Sequence, residues 1–329
     1  DEAAGDAGRG RRGLTVRILV IMDPIDRLNP EGDTTLVLIE EMHRRGFGVE
    51  VCGAEDLELE RGEAAAVVST VTAVDRAAFP CIKCEGGQWR PLAEYDAILM
   101  RKDPPFDQDY YFYTLILEQA RGKTLLVNDP RGLREANEKL YIFNFPSLIP
   151  PTRVTRSQVR LRDFLEQQGG QMIVKPLDQC GGGGIFHVRS EDRNTNSILE
   201  TVSENQTRLV MAQAYLPKVR EGDKRILLLD GEPIGCVMRV PREDETRSNL
   251  HVGGTAAHTD LDARDKEIVA TIAPKLRADG LYFVGIDVIG GMLTEVNVTS
   301  PTGIQEIDRL EGVRLESLVI DWLEKRVQR

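Results

Sequence analysis

A chain of 329 residues, 41% hydrophobic and 29% charged, has enough material for two or three packed units and the composition of an ordinary soluble protein. Its net charge of -11 argues against a nucleic-acid partner, which would require a basic face. No apolar run approaches the length of a membrane span.

The first thirteen residues, DEAAGDAGRGRRG, lack the apolar stretch of a signal peptide and read as a disordered leader over 1–13. The lack of an initiator Met points to a trimmed or tagged start. Val16 to Met22 is a buried strand that stops at Asp23-Pro24. Asp33 then caps a helix through Arg45, ended by Gly46. Phe47 to Cys52 and Tyr95 to Arg101 read as strands. A helix from about Asp109 to Arg121 leads to the strand Leu125–Asn128. Strands alternating with helices predict an α/β domain with a mostly parallel, doubly wound sheet, which binds ligands at the carboxyl ends of its strands. Asp23, Arg101, Lys102 and Asp103 all fall at such ends.

Five cysteines without regular spacing suit a reducing cytoplasm better than a disulfide framework. Cys81 and Cys84 form a CxxC, placed by the pattern in a loop beside Gly86-Gly87. No second ligand pair completes a zinc site, so the spacing reads as coincidence.

From about Arg131 a helix carrying Asn137, Glu138 and Lys139 is expected, then strands at Met172–Lys175, Ile185–Val188 and Arg208–Gln213. A helix is expected near 194–204. From Lys224 strands follow closely, with hairpin joins at Asp230-Gly231 and Gly290-Gly291. A long polar loop runs from Pro241 to His258, and an amphipathic helix from about Arg314 to Val327 closes the chain.

Three segments carry chemistry. Between two strands, three residues after Lys175, lies Asp178-Gln-Cys-Gly181-Gly182-Gly183-Gly184. Glycines let backbone N–H groups approach phosphate oxygens, although four in a row equally suit a hairpin tip. Gln213, Ala214, Tyr215 and Leu216 end a strand where an adenine ring can lie. In Phe283–Thr302, Asp287, Glu295 and Asn297 put hard oxygen donors on strands, the donor set that Mg²⁺ prefers. Asp287 shares a face with Glu295 only as a cross-strand partner or offset by two. The spacing predicts an odd-numbered loop, Gly290 to Met292, with a left-handed glycine.

Taken in order, Met22–Ile25, Leu99–Asp107 (LMRKDPPFD), Asn137–Leu140, Ile173–Asp178, Gly222–Arg225, Glu245–Arg247 and Leu293–Thr302 (LTEVNVTSPT) resemble the bacterial glutathione synthetase family of the ATP-grasp superfamily. The resemblance covers about Val16 to Glu324. It implies an N-terminal substrate domain at 14–136, a small ATP-grasp subdomain at 137–214 and a catalytic subdomain at 215–329. It also implies a cytoplasmic ligase using ATP and Mg²⁺ or Mn²⁺ to join γ-glutamylcysteine to glycine through an acyl phosphate. A homodimer or homotetramer is implied as well.

Carried over by position, Lys139 and Lys175 are expected on the ATP phosphates beneath the 178–184 loop. Residues 213–216 are expected at the adenine, and Asp223 near the ribose. Asp287, Glu295 and Asn297 are expected on the metal, and Arg225 and Arg239 on the phosphoryl group in flight. Asp23, Arg101, Lys102, Asp103, Arg247, Asn297, Thr299 and Ser300 are expected to contact the substrates. The Pro241–His258 loop resembles the family's mobile lid. Gln179 stands where a small residue is usual, and Gln305 where an arginine is common, which bears on acceptor choice.

Overall fold

The computed structural model describes residues 15–242 and 253–328. Three sheets organise it. The first contains β1 (Arg17–Ile21), β2 (Gly48–Cys52), β3 (Leu57–Glu60), β4 (Glu63–Val74), β5 (Ile82–Pro91), β6 (Ala97–Met100) and β7 (Leu125–Val127), in the order β3-β4-β2-β1-β6-β7 with β5 on β4. β1 runs parallel to β2 and β6, and β6 to β7, as the alternating pattern predicts. Ile18, Leu19, Val20 and Ile21 are fully buried, each contributing about 1.5–3 kcal/mol by leaving water.

Helices α1 (Thr34–Arg44), α2 (Gln108–Glu118) and α3 (Pro130–Glu135) complete this layer. Asp33 caps α1 by accepting the Leu36 N–H at 3.1 Å, and Asp107 caps α2 by accepting that of Tyr110 at 2.9 Å.

Two expectations are corrected here. β3, β4 and β5 form an antiparallel extension that the parallel pattern did not predict. β4 carries Ala, Ser and Thr on both faces, so its hydropathy lacks a clean period of two. Cys84 therefore lies within β5 rather than in a loop. Three strand residues span about 10 Å, beyond the reach of a disulfide with Cys81. All five cysteines are free thiols.

The second sheet is antiparallel: β8 (Thr152–Thr155), β9 (Gln171–Pro176), β10 (Phe186–Arg189) and β11 (Val210–Ala214), ordered β10-β9-β11-β8. α4 (Gln158–Gln167) and α5 (Thr195–Val202) cover it, burying Leu161, Phe164 and Leu199 against Met172 and Val188. The segment Asn137–Lys139 lies outside any helix, contrary to expectation. Asn137 Oδ1 accepts the N–H groups of Lys139 (3.1 Å) and Leu140 (3.0 Å), so the side chain closes a turn of its own.

The third sheet holds β12 (Asp223–Leu229), β13 (Glu232–Val240), β14 (Thr255–Ala257), β15 (Phe283–Ile289) and β16 (Met292–Asn297), ordered β14-β13-β12-β15-β16. It packs with α6 (Ala263–Ala278), α7 (Ile304–Glu311) and α8 (Leu315–Val327). β14 occupies part of the expected polar loop, pairing with β13. The rest of that loop, with Arg247, lies outside the described residues, as does the 1–13 leader.

Gly290 and Gly291 both have positive φ, 57° and 78°, and Ile289 pairs with Met292. The turn is therefore two residues long, not three, because two left-handed glycines match the twist of a hairpin. Asp287 still faces Glu295, since the register shifts by one between Asp287 and Val288.

Asn128 ties the first sheet to the third. Its Nδ2 donates to the carbonyls of Phe283 (2.8 Å) and Val298 (2.7 Å). Its Oδ1 accepts the N–H groups of Tyr282 (2.7 Å) and Phe283 (2.8 Å). That contact fixes the start of β15 and the end of the β15–β16 hairpin against the parallel sheet.

Candidate active site

The three sheets enclose one cleft of about 700 Å³. Its floor is a charged row that the strand register creates. Arg225 on β12 stands opposite Asp287 on β15, which stands opposite Glu295 on β16. Two residues along β12, Asp223 stands opposite Arg239 of β13. A period of two puts these side chains on one face.

Arg225 grips Asp287 with two bonds, Nε to Oδ1 at 2.5 Å and Nη2 to Oδ2 at 2.9 Å. Arg239 Nη2 lies 2.5 Å from Asp223 and 3.0 Å from Asp287. Burial pushes the Asp287 carboxyl up, but the guanidiniums of Arg225 and Arg239 overcome it and hold it well below the usual carboxylate range. For Asp223 burial wins, and its pKa rises to about 6. Arg239 Nε is buried without a hydrogen-bond partner.

Beside this row stand two lysines. Lys175 Nζ donates to Glu295 Oε1 at 3.1 Å, and Lys139 Nζ to Glu138 Oε1 at 2.5 Å and to the Gln179 carbonyl at 2.6 Å. Burial alone would raise Glu295, yet Lys175 and Lys139 hold it below the usual range. Glu138 lies above that range through burial and the Glu295 charge. Four carboxylates (Glu138, Asp223, Asp287, Glu295) thus face four cations (Lys139, Lys175, Arg225, Arg239) around one end of the cleft.

The neighbouring wall is apolar: Ile173, Ile185, Leu216, Val219, Val237 and Ile289, with Gln213, Ala214 and Tyr215. Gln213 Nε2 donates to Thr152 Oγ1 at 3.1 Å, and the Tyr215 ring stacks on His187 with centroids 4.0 Å apart. The hairpin joining β9 to β10 brings Gly181, Gly182 and Gly183 over the cleft. The opposite end is built by Arg101, Asp103, Thr299, Ser300 and Asn297 with the 29–35 segment.

Most expected site residues therefore meet in one place. Four do not line the cleft. Asp23 instead accepts Lys102 Nζ at 3.2 Å and the Asp103 N–H at 2.7 Å, so the pair shapes the corner that presents Asp103. Asp178 points away to Arg208. Gly184 serves the hairpin itself, since a Cβ there would meet Gln179 Oε1 at 2.5 Å and Pro176 Cγ at 2.8 Å. Gln305 is buried behind the cleft, donating to the Asp33 carbonyl at 2.7 Å and accepting from Arg76 at 3.2 Å. Glu138, Glu306 and the 29–35 segment were missed. Glu138 was legible as the neighbour of Lys139, but nothing in the sequence announces that these distant segments meet.

Residues 16–134 match the family profile of the prokaryotic glutathione synthetase N-terminal domain, and residues 138–312 that of its ATP-grasp domain. The chain belongs to the prokaryotic glutathione synthetase family. It is 47% identical over 320 residues to the glutathione synthetase of Synechocystis sp., covering 94% of this chain and 100% of that one. It is 43% identical over 315 residues to a glutathione synthetase of Escherichia coli, covering 95% and 99%. Among solved structures, a D-cycloserine synthetase superposes with a TM-score of 0.65 at 16% identity, covering 93% of this chain and 99% of that one. The ATP-grasp RimK domain protein of Sphaerobacter thermophilus superposes with a TM-score of 0.59 at 16% identity, covering 93% and 98%. These neighbours show the fold, and glutathione synthetase membership makes the chain an ATP-dependent ligase. No described helix is long and apolar enough to cross a membrane.

Proposed function

We propose that the chain joins γ-glutamylcysteine to glycine at the expense of ATP, releasing ADP and phosphate, and that this cleft holds all three substrates. The observation that carries the reading is the set of surfaces that line it: an apolar wall, a row of balanced charges, and a polar end beside Arg101 and Ser300. The adenine lies between Ile173, Leu216 and Ile289, with Gln213 and the 213–216 backbone at its edge. Lys139 and Lys175 turn from Glu138 and Glu295 to the phosphates, beneath the N–H groups of Gly181–Gly183.

A polyphosphate adds negative charge to a site whose four acids are already matched by four cations. The donors released when the lysines move, Glu295 with Asp287 and the Asn297 amide, fit a hard divalent cation. Among the described residues no three acid, His or Cys side chains converge unaided, so the amide is part of the set. Asn297 Nδ2 now lies 3.2 Å from Asp287 Oδ2, and turning the amide over would bring its oxygen to the same point. Mg²⁺ or Mn²⁺ bound there would neutralise phosphate charge.

The peptide carboxylate attacks the terminal phosphoryl group, and the resulting acyl phosphate is attacked by the glycine amine with phosphate leaving. Arg225 and Arg239 stabilise the phosphoryl group in flight, the buried Arg239 Nε supplying a donor not otherwise engaged. No nucleophilic side chain is needed. An assay of ADP release with γ-glutamylcysteine, glycine and a panel of other amines tests this reading. ADP must form only when dipeptide and acceptor are both present, with glycine the preferred acceptor.

We further propose a homodimer or homotetramer in a reducing cytoplasm, which light scattering of the purified protein tests for assembly.

A further inference from the structure

The second sheet carries a row of three side chains that begins in the cleft and ends outside it. Gln213 on β11 is the register partner of Ile173 on β9 and, on its other side, of Thr152 on the edge strand β8. Directly opposed residues place their side chains on one face, so the three stand abreast. Ile173 and Gln213 line the cleft at its apolar wall, and Thr152 lies outside that lining.

Thr152 Oγ1 has one proton and gives it to the Pro150 carbonyl, 2.7 Å away. Toward Gln213 the same oxygen then acts only as an acceptor, and Gln213 Nε2 donates to it at 3.1 Å. The reverse orientation of the amide would set Gln213 Oε1 against an oxygen with no proton left to give. Gln213 is 4% exposed, so such a clash of acceptors would not be relieved by water. The amide is therefore held with its NH₂ group on Thr152, which leaves its oxygen as the acceptor offered to the cleft. A purine with an amino group at C6 supplies the donor that this oxygen needs, whereas one with an oxo group there supplies a second acceptor.

We infer that Thr152 is a positioning residue for purine selectivity: by fixing the Gln213 amide with its oxygen outward, it makes the site prefer a 6-amino over a 6-oxo base. The inference rests on the placement of the adenine given above and adds to it a residue that touches no substrate. Without the Thr152 hydroxyl the amide loses the partner that distinguishes its two ends, and it can turn to present Nε2 to an oxo group. Strand pairing does not depend on that hydroxyl. The β8–β11 ladder from Thr152 to Thr155 and the bond from the Ala214 N–H to the Pro151 carbonyl (2.9 Å) are made by backbone alone.

The test compares ATP with inosine triphosphate (ITP), whose base differs by an oxo group in place of the amino group and a proton on N1. Each nucleotide is varied at saturating γ-glutamylcysteine and glycine. Thr152→Val keeps the branched shape and removes the hydroxyl, Thr152→Ala is a second hydroxyl-free variant, and Thr152→Ser keeps the hydroxyl. The unaltered enzyme is expected to favour ATP in kcat/KM. In Thr152→Val and Thr152→Ala the ATP-to-ITP ratio of kcat/KM is expected to fall roughly 10-fold, the weight of one base-edge hydrogen bond, with kcat on ATP near the parent value. Thr152→Ser is expected to keep the parent ratio. Contacts from the 213–216 backbone are common to all four proteins and cancel in the comparison. Calorimetric titration with ADP and with inosine diphosphate should show the same change without turnover, and thermal unfolding shows that each variant is folded.

No preference for ATP in the unaltered enzyme, an unchanged ratio in the hydroxyl-free variants, or an equal loss with both nucleotides overturns the inference. A ratio in Thr152→Ser that falls as far as in Thr152→Val overturns it too. Failure of the unaltered enzyme to turn over γ-glutamylcysteine and glycine with ATP overturns the function itself, which is a separate result.

Discussion

Asp287 and Glu295 stand directly opposite one another because Thr294 is the extra residue of a β-bulge. Without it the two-residue turn at Gly290-Gly291 would bring Thr294 opposite Asp287 and send Glu295 to the other face of the sheet. The bulge is held from within, since Thr294 Oγ1 donates to the Asp287 carbonyl at 3.1 Å. Local irregularity thus creates the oxygen-donor face.

That face predicts the behaviour of Glu295→Gln. The substitution keeps the shape and one oxygen but removes a charge beside Lys175. It is expected to lower turnover by more than about tenfold and to weaken Mn²⁺ binding measured by electron paramagnetic resonance. The melting temperature should stay close to that of the parent. Near-normal activity with tight Mn²⁺ would place the metal elsewhere.

Arg239→Lys separates geometry from charge. Lysine keeps the charge that Nη2 brings to Asp223 and Asp287 but loses the separate, buried Nε donor of the planar guanidinium. The catalytic rate is expected to fall on the order of 10²-fold, with a smaller effect on ATP binding. Arg242, two residues beyond the end of β13, should accept the same change. Equal losses in both variants, or a loss confined to ATP affinity, would remove Arg239 from the phosphoryl step.

Much of the fold was legible because burial leaves a plain signature. The run Ile18–Ile21 could only be a central strand, and Asp33 before Thr34 could only sensibly begin a helix. That Asp287, Glu295 and the glycine loop line one cleft was legible because oxygen-bearing strand residues and runs of glycine stand out in the sequence. Two features were not. The bulge at Thr294 conflicts with no propensity and changes no hydropathy period, so the sequence alone favours a turn one residue longer than the observed one. Glu306 looked like any first-turn acid of a helix, and only the folded chain reveals that Gly32 closes over it.

Asn128 predicts a stability effect remote from the chemistry. Asn128→Ala would strand two backbone carbonyls and two N–H groups at the junction of the first and third sheets. At about 1 kcal/mol or more for each, the cost should exceed about 3 kcal/mol. Urea unfolding gives the number, and a cost under about 1 kcal/mol would show that the junction is held by other contacts.

The α7–α8 junction predicts a pH dependence. Burial first, and then the hydrogen bond to Glu316, push Asp308 up to about 7 against the pull of the Leu315 N–H. An acid with a raised folded pKa holds its proton more tightly folded than unfolded. Its contribution is therefore full at low pH and is lost as pH rises from about 4 to about 7. Asp308→Asn keeps the acceptor for Leu315 and should flatten that part of the melting-temperature profile. An identical slope in both proteins would assign the dependence to another group.

Activation of the cysteinyl carboxylate of γ-glutamylcysteine by phosphoryl transfer leaves an isotopic trace. Labelling both oxygens of that carboxylate with ¹⁸O tests it directly. One labelled oxygen is expected in the released phosphate for each glutathione formed, and none in any nucleotide. Label appearing in AMP, or phosphate released without label while glutathione accumulates, would contradict it.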